Sequence, residues 1–93
     1  MDVERLVGWN VQRLRKAKGF SQEELALRIE IVAQSYVSFL ESGHRNPTSV
    51  LLYLIAKALS CSVGDLFDEK DAPTAITRGS VVIRSSRSGK KRL

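Results

Sequence analysis

GFSQEELALRIEIVAQSYVSFLESG, residues 19 to 43, is the stretch on which the fold turns. Its Ser21-Gln22-Glu23-Glu24 is a helix-start signature, because the serine hydroxyl caps a free backbone N–H while the glutamate three positions on reaches back. A helix is predicted from Gln22 to about Ile29, with Leu25, Ala26 and Ile29 on its inner side. Tyr36, Val37 and Leu40 predict another from Gln34 to Glu41. Ser42-Gly43 ends it, since glycine tolerates the left-handed conformation that closes a helix. Between these helices lies only the short turn from Glu30 to Ala33.

Upstream, Val3, Leu6, Val7, Val11 and Leu14 recur at helical intervals and predict an amphipathic first helix over residues 3 to 18. Gly19 ends it, and Lys16 and Lys18 sit in the last turn, where cations suit the helix dipole. Downstream, His44-Arg45-Asn46-Pro47 breaks the pattern and Thr48 caps a fourth helix carrying Leu51, Leu54, Ile55, Ala58 and Leu59. Ser62 to Asp65 repeats the capping pattern before a short fifth helix with Val63, Leu66 and Phe67. The expected architecture is all-α, a compact five-helix bundle over residues 1–70. Residues 71–93 change composition, with Pro73, Gly79, Gly89, several serines and a closing Gly-Lys-Lys-Arg-Leu, and are expected to form a basic C-terminal tail. Within the tail, Ser80 to Arg84 (80–84) reads as one short strand. A single strand is not stable alone, so it pairs with another subunit, lies on the bundle or stays disordered.

Ninety-three residues hold one small domain, too little chain for an elaborate enclosed active site. The formal charge of +5 is unevenly placed. Through Lys70 nine basic side chains face nine acidic ones, so the globular part is neutral and the surplus lies in the tail. Arg13, Arg15, Lys16 and Lys18 still cluster locally. No apolar run is long enough to cross a membrane and the first residues lack a signal-peptide pattern, so the chain is read as cytoplasmic, without a membrane partner. Cys61, the lone cysteine, has no internal disulfide partner and reads as a buried structural thiol. A phosphate loop, an HExxH or CxxC pattern and a histidine-containing catalytic constellation are all missing. His44 reads as a solvated loop residue, Glu23-Glu24 as helix-start acids and Asp68-Glu69 as loop charges. An enzyme is not expected, nor a metal or cofactor.

Six fragments in order then carry a family resemblance. Val7 to Arg15, Gly19 to Ala26, Ser35 to Ser38, Leu40 to Gly43, Arg45-Asn46-Pro47 and Ile55 to Leu59 resemble the Xre or Cro/CI-type helix-turn-helix family, which includes phage repressors and restriction-modification controller proteins. The resemblance covers Val7 to Phe67 and implies a lambda-repressor-like bundle. In such a domain the second helix crosses the phosphate backbone and the third offers side chains to the major groove. It implies a phosphate contact for Gln22 and base-reading positions at Gln34 and Ser35, with Gln34 able to bond adenine in a bidentate manner. Ser38 and Phe39 match later groove-facing positions, where Phe39 offers only apolar contact, for example to a thymine methyl. Arg15, Arg45 and Asn46 are candidate phosphate contacts that orient the domain.

The chain departs from the family in the turn, which lacks the usual glycine, puts Ala33 where a polar cap belongs and is one residue longer. Phe39 also replaces a small or polar residue, and an exposed aromatic suits a protein-binding surface. Two functions are therefore carried forward. One is a sequence-specific transcriptional regulator, a dimer through the fifth helix and the tail strand, on a palindrome of double-stranded DNA. The other is an antiactivator or antitoxin-like module that meets a protein partner through Phe39.

Overall fold

In the computed structural model, which describes residues 1–83, the Asp2 carboxylate accepts the N–H of Arg5 at 3.1 Å and so starts helix α1, Val3–Ala17. Apolar spacing then places Leu6, Val7 and Val11 on its buried side, and Gly19 closes its exit with φ of 77°. Helix α2, Gln22–Ile29, and helix α3, Gln34–Glu41, run over the residues expected of them. Ser21 caps α2 by accepting the N–H of Glu24 at 3.0 Å. The Glu24 carboxylate turns to Arg28 at 3.3 Å instead of back to the cap, because the cation one turn on lies on the same helix face. Thr48 caps helix α4, Ser49–Ala58. The expected fifth helix is a 3-10 helix, Val63–Phe67, and here the reciprocal Ser62 and Asp65 capping box is complete.

These elements enclose one core. Val7 and Val11 from α1, Leu25, Ala26 and Ile29 from α2, Val37 and Leu40 from α3, Ile55 and Ala56 from α4, Leu59 and Leu66 meet in it. Helix α3 packs against both α1 and α2, while the 3-10 helix is held between α1 and α4. A fully buried amide, Asn10, fastens the 3-10 helix to α1 by donating to the carbonyls of Leu66 at 3.1 Å and Asp68 at 2.9 Å. Such a group satisfies carbonyls that a helix end leaves unpaired. Cys61 packs half-buried against the core, where burial, with a smaller contribution from Asp65, pushes its thiol up against the opposing charges of Arg13 and Lys18.

One element was not expected. Helix α5, Thr74–Thr77, follows Pro73 and lays Ile76 against α1, and the Asp2 N–H donates to the Ile76 carbonyl at 2.7 Å. Beyond it, residues 80–83 form no strand; the Val82 N–H donates to the Met1 carbonyl at 2.8 Å, so this part lies on the bundle. Arg84, the last residue of the expected strand, and the remaining basic tail are outside the described residues. Among the described residues no helix is long and apolar enough to cross a membrane.

Candidate nucleic-acid interface

Helix α3 turns 100° per residue, so burying Val37 and Leu40 forces Gln34, Ser35, Ser38 and Phe39 toward the opposite side. Gln34, Ser35 and Phe39 are exposed and Ser38 is half-exposed. The expected reading positions therefore share one accessible face of α3. Gln22 opens α2 beside it. The Gln34 Nε2 donates to the Gln22 Oε1 at 2.8 Å, and both border an open depression of about 520 Å³ with Arg15, Ser21 and Glu23.

What fixes this pair lies beneath it. Arg15 Nε and Nη2 donate to the two oxygens of Glu41 at 2.6 and 2.9 Å, and Nη1 donates to the Phe20 carbonyl at 2.8 Å. The Gln22 Nε2 in turn donates to the Glu41 Oε1 at 3.1 Å. With side chains only 9% and 2% exposed, Arg15 and Glu41 form a buried fork. Its hydrogen bonds to Glu41 raise the Arg15 guanidinium above its ordinary value against the opposing effect of burial. Arg15, expected to contact phosphate, is thus largely committed within the domain: three of its five N–H donors are bonded to Glu41 and Phe20, and it positions Gln22 through Glu41. Sequence reasoning had no role for Glu41. The signal was present, since an acid in the last turn of a helix opposes the dipole and calls for a cation to hold it.

Arg45 remains at the surface, with its guanidinium 4.7 Å from the Phe39 ring centre and 5.9 Å from that of Tyr36. Burial raises the Tyr36 hydroxyl above its usual value, partly offset by Arg45. Asn46 is exposed in the same loop but borders a different, small cleft with Val3, Pro47, Leu52 and Phe67. His44 is exposed, its Nδ1 2.9 Å from the Ser42 hydroxyl.

The turn shows how the chain does without a glycine. Glu30 itself takes φ of 78° and closes α2 by donating its N–H to the Ala26 carbonyl. Ala33 then starts α3 with φ of −90° and ψ of 165°, close to the geometry of Ser21 and Thr48, but has no side chain to cap with. Ala33→Ser should therefore supply the missing cap and stabilise the protein by about 1 kcal/mol. A denaturant midpoint raised at unchanged slope is the expected reading.

A helix-turn-helix family model matches residues 11–66, which takes in α2, the turn and α3 whole. The chain belongs to the helix-turn-helix family. This helix-turn-helix protein is 45% identical over 78 residues to the uncharacterized HTH-type transcriptional regulator y4dJ of Sinorhizobium fredii, covering 84% of this chain and all of that one. It is 36% identical over 66 residues to the control protein C.SmaI of Serratia marcescens, covering 71% of this chain and 77% of the relative. In three dimensions it resembles the restriction-modification controller protein C.AhdI from Aeromonas hydrophila, with a TM-score of 0.65, 38% identity, and coverage of 69% of this chain and 91% of that one. The all-α helix-turn-helix bundle that the resemblance implied is thus the fold of this helix-turn-helix protein.

Proposed function

We propose that the chain is a sequence-specific transcriptional regulator that binds double-stranded DNA as a homodimer, with α3 in the major groove. The observation that carries this is the Gln34 to Gln22 hydrogen bond on the accessible face of α3. A free glutamine loses rotamer freedom when it binds a base, whereas this one is already held. One Nε2 hydrogen goes to Gln22, leaving the second hydrogen and the Oε1 for the N7 and N6 edge of adenine. Gln22, Arg45 and Asn46 would meet phosphates and set the docking, while Ser35, Ser38 and Phe39 face the bases. Such a regulator works in the cytoplasm, where it meets its operator.

A second copy has apolar surface to use, since α4 leaves Val50 and Tyr53 exposed and the 3-10 helix leaves Phe67 exposed. Two copies would address half-sites about 34 Å apart, which makes the operator palindromic. The alternative, a protein partner docked on Phe39, draws on the exposure of that ring. Its place beside Gln34 and Ser35 and its cover by Arg45 favour the groove.

Selection from a pool of random duplexes tests the proposal. A palindromic sequence should be enriched, and Gln34→Ala should reduce discrimination at one position per half-site by about 1–3 kcal/mol, roughly 5- to 150-fold. Failure to enrich any sequence would overturn it. Sedimentation of the unliganded chain tests the dimer.

A further inference from the structure

We propose that Phe39 makes this site a reader of the 5-methyl group of a pyrimidine, so that binding follows methylation at that carbon, whether the base is thymine or 5-methylcytosine. The inference rests on the DNA-binding function proposed above and specifies its chemistry. Phe39 is 47% exposed, the one large apolar side chain among the described residues on the α3 face that carries Gln34, Ser35 and Ser38. It stands one helical turn after Ser35, on the same side of α3. The edges of the major groove are almost wholly hydrogen-bond donors and acceptors, and their apolar group is the methyl on pyrimidine carbon five. A phenyl ring entering the groove has no other partner of its own chemistry.

The ring is also oriented for this. Arg45 stacks over it at 4.7 Å and covers one side, while its helix neighbours on the reading face, Ser35 and Ser38, are small and leave the approach open. The cation holds the ring by its negative face and so restrains it without filling the approach. Cytosine presents only hydrogen at carbon five, whereas 5-methylcytosine places a methyl where thymine has one. The contact that selects thymine over uracil therefore also selects methylated over unmethylated cytosine.

The experiment uses the full chain and the duplex enriched from the random pool. Each thymine is replaced in turn by deoxyuridine, which removes the methyl and keeps the base pair. Wild type should lose about fourfold affinity at one position per half-site, the worth of one buried methyl-sized group, and bind normally elsewhere. With a cytosine pair at that position, methylation of carbon five should tighten binding by a similar factor. Phe39→Ser should abolish both effects, and Phe39→Leu should retain them because it stays apolar. Because Phe39 lies at the surface, both variants are expected to fold, as their far-ultraviolet dichroism and melting will show. Uniform tolerance of deoxyuridine by wild type, or a uracil effect that survives in Phe39→Ser, would overturn the inference. A pool without any enriched sequence would instead defeat the DNA-binding function itself. If Phe39→Ser leaves every duplex affinity unchanged, the ring serves a protein partner and the inference fails.

Discussion

Glu41→Ala should lower the free energy of unfolding by about 3–5 kcal/mol, the cost of leaving a buried charge without its partner. The reason is geometric. The guanidinium of Arg15 makes two hydrogen bonds to Glu41, and both side chains are largely shielded from water. For a domain of this size such a loss lowers the melting temperature by at least about 12 °C. Arg15→Met combined with Glu41→Ala should recover much of the stability, because no charge is then stranded. Neither protein should read DNA normally, since Gln22 has lost the oxygen that holds it and Gln34 has lost its orientation. A melting temperature unchanged in the single variant would mean that the pair is far better hydrated than its burial implies.

Gly8→Ala is expected to be the second most damaging change. An interior helical position ordinarily gains about 1 kcal/mol when alanine replaces glycine. Here the new Cβ would stand 2.3 Å from the Leu40 carbonyl oxygen and 3.0 Å from that of Glu41, atoms of the α3 backbone that cannot rotate aside. Helices α1 and α3 would have to part, at a cost that exceeds the gain in helix propensity, so a net loss of about 2–3 kcal/mol is expected. Gly64→Ala is the control, because a Cβ there meets only the Ser62 hydroxyl at 3.6 Å. A denaturant titration should separate the two variants clearly. Equal stabilities would show that the contact between α1 and α3 has slack.

The limits of α2 and α3 were legible in the sequence because local chemistry decides them: Ser21 caps one start, Gly43 closes one end, and the apolar spacing orients what lies between. Which residues share the exposed face of α3 was legible for the same reason. The way they are joined was not. A basic residue near the end of α1 looks the same whether it reaches outward or inward, and only the packing of α1 on α3 brings Arg15 to Glu41, 26 positions away. Helix α5 is four residues long, too short for periodicity to register, and its one buried side chain, Ile76, has meaning only against α1.

The turn between α2 and α3 holds a further meaning. Glu30 carries backbone strain of the order of 1–3 kcal/mol, and Ala33 forgoes a cap three residues later. Stability is thus held in reserve within a single short segment. A lineage that tightens this turn could accept costlier side chains on α3, so the segment sets how far the domain's DNA preference can drift before the fold gives way.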